Sequence, residues 1–110
     1  MILLTPELRQ KLRANNADRD ADHVPVVKFF TPWGSATWII KDMEPDGDAM
    51  FGLCDLGLGE PELGYVSLRE LDAIRGPRRL RVERDLHFRP TRPLSDYVIA
   101  ARAARRIVEI

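Results

Sequence analysis

Residues 24–56, VPVVKFFTPWGSATWIIKDMEPDGDAMFGLCDL, carry the strongest indication of the fold. Val24–Phe30 is rich in β-branched and aromatic residues, and Ala36–Met43 and Ala49–Leu56 have the length and composition of two further strands. The turn sequences TPWG and EPDGD separate these segments, and an Asp-Gly pair between apolar runs is a strong hairpin signal. The stretch therefore predicts two successive hairpins, which make an antiparallel meander.

The flanking sequence predicts helices and two further strands. Helix caps and apolar spacing place helices at about residues 6–16 behind Thr5, at 67–75 behind Ser67, and at 97–107 behind Ser95–Asp96. Short apolar or alternating segments predict strands at Tyr65–Val66 and Leu80–Phe88. We therefore predict one α+β domain over residues 1–110, an antiparallel sheet of four to five strands with two to three helices packed on it.

Composition limits the class of protein. A chain of 110 residues with 45% hydrophobic and 31% charged residues is typical of a single globular domain. A lone cysteine, Cys54, excludes an internal disulfide and favours a reducing compartment. No apolar run approaches the ~20 residues of a membrane span, and none resembles a signal peptide. We expect a cytoplasmic protein with no membrane partner.

The net charge of zero hides an asymmetry between the two parts of the chain. Residues 1–74 carry 7 basic and 13 acidic side chains, whereas residues 75–110 carry 10 arginines, no lysine and 4 acids. Either the two parts neutralise each other when folded, or the second part forms a basic surface for phosphate or for an acidic partner.

The alternating residues of the last predicted strand form the strongest chemical constellation. Glu83, Asp85 and His87 would share one face with Arg81, a pattern suited to a divalent metal or to proton transfer if Asp55 or His23 completed it. The alternative is a solvated face with ion pairs. Arg84 falls on the apolar face, where it requires a carboxylate partner or a position at the rim of the sheet.

The glycine-rich segment Asp55–Gly64 is a second candidate. Gly57 and Gly59 would allow a ligand to approach the backbone closely, with Glu62 as a further contact. The segment matches neither a Walker motif nor a dinucleotide fingerprint, so we expect no cofactor, and a plain turn is the alternative. Cys54 has no predicted neighbour that would activate it and is expected to be a structural thiol.

A third candidate is an arginine surface. Clusters occur before and within the last predicted strand and on the last helix, at Arg75, Arg78, Arg79, Arg81, Arg102, Arg105 and Arg106. Arginine suits bidentate binding of phosphate or carboxylate, and a solubilising surface is the alternative. Trp38 is expected in the core, whereas Trp33, in the first turn, is a candidate contact residue.

Long segments of the chain resemble a family of small bacterial proteins classed as a domain of unknown function. The resemblance rests on LLTPEL at Leu3–Leu8, PVVKFFTPWGSATW at Pro25–Trp38, FGLCDLGLGEPELGYVSLREL at Phe51–Leu71 and VERDLHFRP at Val82–Pro90. It implies a role in the maintenance of plasmids and conjugative elements, near anti-restriction and partition genes, and it implies no reaction. The most distinctive family positions correspond to Asp55, Gly57, Gly59, Pro61, Glu62, Gly64, Glu83, Arg84, Asp85 and His87.

Two hypotheses about function follow. The first is a non-enzymatic binding module whose partner is a protein or a nucleic acid. The second is a small metal-dependent hydrolase acting on nucleic acid, with catalytic candidates Asp55, Glu62, Glu83, Asp85 and His87. The residues favour the first, and no metal ligand set is assigned.

Overall fold

The computed structural model describes all 110 residues and contains one five-stranded antiparallel sheet in the order β4-β3-β2-β1-β5. The strands are β1 Val27–Phe30, β2 Thr37–Met43, β3 Ala49–Asp55, β4 Glu62–Ser67 and β5 Glu83–Arg84. The helices are α1 Pro6–Asn16, α2 Leu68–Ala73 and α3 Leu94–Ala104. The predicted α+β class and the meander of β1 to β3 are confirmed. The longest helices have 11 residues, too few to cross a lipid bilayer.

The helices cover both faces of the sheet. On the α1 and α2 face, eleven buried residues form the larger core: Leu3, Leu4, Leu12, Val27, Phe29, Trp38, Ile40, Met43, Met50, Leu71 and Val82. On the α3 face, seven residues form a smaller core: Ile39, Leu53, Phe88, Leu94, Tyr97, Val98 and Ala101. Ile39 and Ile40 belong to different cores because successive strand residues point to opposite faces. The prediction that Trp38 lies in the core is confirmed.

Two of the three predicted helix caps are present. The hydroxyl of Thr5 accepts a hydrogen bond from the N–H of Leu8 at 3.2 Å, and the hydroxyl of Ser67 accepts one from the N–H of Glu70 at 3.1 Å. The third prediction is wrong. α3 begins at Leu94, directly after Pro93, and the Ser95 side chain bonds the carboxylate of Asp22 instead of capping the helix.

The strands at the two edges of the sheet differ from their predicted lengths. β4 starts at Glu62 rather than Tyr65, because β3 pairs with it continuously from Ala49↔Ser67 to Cys54↔Glu62. The glycine-rich loop is correspondingly short and covers residues 56–61.

The predicted strand Leu80–Phe88 is reduced to the two residues of β5. The carboxylate of Asp85 accepts a hydrogen bond from the N–H of His87 at 2.8 Å, which turns the chain away from the sheet. The predicted alternation therefore stops at the turn: Leu86 is 52% exposed, whereas Phe88 is buried.

Candidate functional site

The turn between β1 and β2, residues 31–36, brings two distant segments to one end of the sheet. The ring of Trp33 packs so closely on Gly76 that a Cβ there would collide with it. Ser35 packs in the same way on Gly57, whose φ of +81° also favours glycine. Because two residues of chain span at most about 7 Å, the segments around Gly76 and Gly57 flank the same short turn.

The first of these segments carries arginines on a tight single turn, Pro77–Arg79. Arg78 and Arg79 have φ angles of +56° and +63°, both are exposed, and neither makes an ion pair or a side-chain hydrogen bond. Arg81 differs from them, because it pairs with Asp72 at 2.8 Å. Arg75 donates hydrogen bonds to main-chain carbonyls of its own segment.

The second of these segments is the glycine-rich loop around Gly57, and the C-terminus of α3 reaches this loop. Arg105 ends the helix with a φ of +61°, and its Nε donates a hydrogen bond to the carbonyl of Gly59 at 3.3 Å. Position 105 is one where glycine is usual. Arg102 and Arg106 are exposed and make no ion pair. The helix terminus therefore places Arg105 and Arg106 beside the loop, with Arg102 exposed in the last turn of the helix.

Both groups of arginines lie at this end of the sheet, and we call the six residues together the arginine end: Arg75, Arg78, Arg79, Arg102, Arg105 and Arg106. Its members Arg78, Arg79 and Arg105 are the only non-glycine residues in the chain with positive φ. A left-handed conformation costs an L-residue roughly 1–2 kcal/mol. Strain of this kind in a native fold is typical of functional sites.

The ion pairs show that the two parts of the chain do not neutralise each other at this end. Of the ten arginines in residues 75–110, only Arg81 pairs with an acid from residues 1–74. Arg92 pairs with Asp96 within α3. The other basic pairing across the two parts is made by Lys28, with Asp85 and Glu109.

A cavity of about 430 Å³ opens between the turn, the loop and the end of α3. Its lining consists of Ser35, Thr37, Asp55, Gly57, Gly59, Arg105, Arg106 and Ile107. Ser35 and Thr37 were not among the predicted site residues. No motif marks them, and the only local signal was their position next to Trp33 in the turn.

Asp55 is buried at the wall of this cavity and acts as a structural anchor. One carboxylate oxygen accepts a hydrogen bond from the N–H of Gly57 at 2.8 Å, and the other accepts one from the N–H of Ile107 at 3.0 Å. Asp55 thereby ties the loop and the C-terminal tail to the end of β3. Both of its oxygens are already engaged by main-chain donors.

The five predicted catalytic candidates do not come together. Glu62 lies on β4 and Glu83 on β5, the opposite edges of the sheet. Four strand spacings separate these edges, roughly 19 Å. Asp85 closes a turn and faces Lys28 at 3.7 Å, and His87 is exposed in that turn. No three His, Cys, Asp or Glu side chains in the chain are placed to hold one metal ion.

His23, which was the other residue proposed to complete such a site, makes a different contact. The Nε2 of His23 lies 2.7 Å from the carbonyl oxygen of Asp18, within the loop that follows α1. The main chain of His23 accepts a hydrogen bond from the N–H of Leu94, so this residue lies at the start of α3.

Arg84, Trp33 and Cys54 have structural environments. Arg84 has no carboxylate partner, and its Nη1 donates hydrogen bonds to the carbonyls of Ile2 and Leu3, both at 2.9 Å. Trp33 is half-buried against the larger core, so the expectation of an exposed contact residue is wrong. Burial raises the pKa of the Cys54 thiol, which disfavours the nucleophilic thiolate.

Two larger cavities are less suited to binding a ligand. One, of about 550 Å³, lies beside the N-terminal segment, and its charged groups pair with each other, as Arg81 does with Asp72. The other, of about 790 Å³, lies beside α1. Its polar side chains Asn15 and Arg89 are already bonded to main-chain carbonyls. The cavity at the arginine end differs because it combines two guanidinium groups that have no carboxylate partner with the hydroxyls of Ser35 and Thr37.

Comparison with known proteins identifies the family of the chain. No curated protein and no solved structure matches it significantly. A family model described as "Protein of unknown function (DUF2958)" matches residues 3–108, which include every strand, every helix and the arginine end. The chain therefore belongs to the DUF2958 family, whose function is not known.

Proposed function

We propose that this protein is a non-enzymatic binding module that holds the phosphate groups of a nucleic acid against the arginine end. The observation that carries the proposal is the convergence of two sequence-distant arginine segments on the turn of residues 31–36, with no carboxylate partner for any of the six arginines. Unpaired guanidinium groups on one surface attract a polyanion and can each bind a phosphate oxygen pair.

The backbone geometry of the arginines supports a binding role over a merely solubilising one. A solubilising charge can occupy any exposed position, including unstrained helix and strand positions. Arg78, Arg79 and Arg105 instead occupy positions with positive φ, where glycine would be less strained. Because glycine would be less strained at these positions, the presence of arginine there indicates that the guanidinium groups have a function.

A nucleic acid is favoured over an acidic protein because of the residue types present. Residues 75–110 contain ten arginines and no lysine, and the cavity beside Arg105 and Arg106 adds the hydroxyls of Ser35 and Thr37. Phosphates bound by proteins are typically held by arginine, hydroxyl and backbone donors together. An acidic protein segment is the alternative partner, and the test below distinguishes the two.

The hydrolase hypothesis has no supporting observation, because its five candidate residues lie at separate places on the sheet. The resemblance implies a role in the maintenance of plasmids and conjugative elements, which consist of DNA. A module that binds nucleic acid without cleaving it would suit that role.

The test is fluorescence anisotropy of labelled single- and double-stranded oligonucleotides over a series of salt concentrations. We expect binding that weakens steeply with salt, with a logarithmic slope of about −4 to −5 on duplex DNA if five of the six arginines each neutralise one phosphate. Absence of binding at low salt would reject the proposal. Binding of a poly-glutamate peptide in the same assay, without nucleic-acid binding, would identify an acidic protein partner instead.

A further inference from the structure

We propose that the cavity between Ser35, Thr37, Arg105 and Arg106 is an oxyanion site that takes a single phosphate group. This inference rests on the proposed function and assigns one atom-level contact within it. The occupant is the tetrahedral phosphate of a polynucleotide, either an internal phosphodiester or a terminal 5′-phosphate.

The donors in the cavity are unengaged. The hydroxyls of Ser35 and Thr37 make no hydrogen bond within the protein, and neither does the side chain of Arg106. Arg105 uses only its Nε, on the carbonyl of Gly59, which leaves its two Nη groups free. Four side chains from two separate segments of the chain therefore line one cavity with free donors.

Charge and acceptor count favour an anion over a cation. The cavity is lined by two guanidinium groups and by one carboxylate, that of Asp55. Both oxygens of that carboxylate already accept main-chain hydrogen bonds from Gly57 and Ile107. A cation would find no free carboxylate oxygen there, whereas an oxyanion would find guanidinium and hydroxyl donors.

The local backbone also favours this assignment. Arg105 occupies the left-handed position after α3, and its Nε bond to Gly59 fixes the direction of the guanidinium toward the loop. Gly57 and Gly59 both have positive φ, and neither has a side chain that would fill the space in front of Arg105. The loop and the helix end are thus shaped around the same space.

The experiment is a titration with inorganic phosphate at constant ionic strength, followed by two-dimensional ¹H–¹⁵N NMR. We expect chemical-shift changes at the amides of Ser35, Thr37, Gly57 and Gly59. The variant Arg105→Gly/Arg106→Gln should weaken this binding about tenfold or more, because it removes two charge-assisted donors. Arg105→Gly keeps a residue suited to positive φ, so the variant should remain folded.

Two further variants serve as controls. Lys11→Gln/Arg13→Gln removes the same number of charges from α1 and should leave the chemical-shift changes intact. Thr37→Val preserves the shape of a β-branched strand residue and removes one hydroxyl, so it should weaken phosphate binding without unfolding the sheet. Absence of shifts in the cavity, or equal weakening in both double variants, would overturn the assignment.

A pair of oligonucleotides distinguishes the sources of the phosphate. Equal affinity for a 5′-phosphorylated strand and its 5′-hydroxyl counterpart would assign the cavity to an internal phosphodiester, and a preference for the phosphorylated strand would assign it to a terminal phosphate. If oligonucleotides bind but Arg105→Gly/Arg106→Gln has no effect, the cavity assignment fails while the proposed function stands. If inorganic phosphate binds the cavity but no oligonucleotide binds, the cavity is an oxyanion site, whereas the proposed function and the polynucleotide as its occupant both fail.

Discussion

Replacement of Arg78 and Arg79 by glycine should separate binding from stability. Both residues have positive φ, both are exposed, and neither contacts another side chain through an ion pair or a hydrogen bond. The double variant Arg78→Gly/Arg79→Gly therefore removes two guanidinium groups from the arginine end and leaves the backbone conformation of the turn accessible.

The double variant should be at least as stable as the native protein, which is unusual for a substitution by glycine. Relief of the left-handed strain contributes roughly 1–2 kcal/mol per residue, and the greater conformational entropy of glycine in the unfolded chain offsets about 0.5–1 kcal/mol of this. The free energy of unfolding of the double variant should therefore stay the same or rise by up to about 3 kcal/mol, which urea denaturation followed by circular dichroism can measure.

The expected change in binding is large. Each arginine that contacts a phosphate of duplex DNA contributes about 0.9 to the slope of log K against log salt. The double variant should therefore lose about 2 units of slope and bind more weakly at every sequence tested, because phosphate contacts carry no base information. Fluorescence anisotropy at four or more salt concentrations gives both quantities.

The control is Lys11→Gln/Arg13→Gln, which removes two charges from exposed positions of α1. Arg13 lies beside Gly47 in the β2–β3 turn, at the opposite end of the meander from the arginine end. A slope unchanged in the Arg78→Gly/Arg79→Gly protein would refute the reasoning. An equal loss of slope in the control would also refute it, because it would show that net charge alone governs binding.

Three further predictions concern stability and reactivity. Gly52→Ala should lower the free energy of unfolding by about 1–3 kcal/mol, or more, because the added Cβ would collide with the main chain of Ile39. An unfolding midpoint in urea equal to that of the native protein would contradict this prediction. Hydrogen bonds from the main chain of Arg69 and the hydroxyl of Ser67 lower the pKa of Asp48 below its ordinary value of 3.8. The ionised carboxylate of Asp48 therefore stabilises the fold fully above pH 3.8, and this stabilisation is lost as the pH falls through the lowered pKa. Asp48→Asn should therefore be less stable than the native protein above pH 3.8, with a smaller loss on acidification; parallel acid-unfolding curves would oppose this account. Because burial raises the pKa of Cys54, iodoacetamide should alkylate it more slowly in the folded protein than in urea at pH 8, and equal rates would show that the thiol is accessible.

The candidate site was predictable only in its parts. The sequence indicated an arginine surface and a glycine-rich loop as separate features, because clusters of one residue type are visible along the chain. Their convergence was not predictable, since it depends on the packing of Trp33 on Gly76 and of Ser35 on Gly57. The metal-site hypothesis failed for the same reason: alternation along Leu80–Phe88 assumed a full strand, and the Asp85 turn ended it.

Local structure was predictable from the order of the residues. The meander of β1 to β3 and the caps at Thr5 and Ser67 depend on residues within a few positions of each other, so turn and capping preferences suffice to predict them. The tertiary structure alone decided the rest: the length of β4, the shortness of β5, and the meeting of the two arginine segments at the turn of residues 31–36. These features arise from pairing and packing between residues far apart in the chain, which local preferences cannot specify.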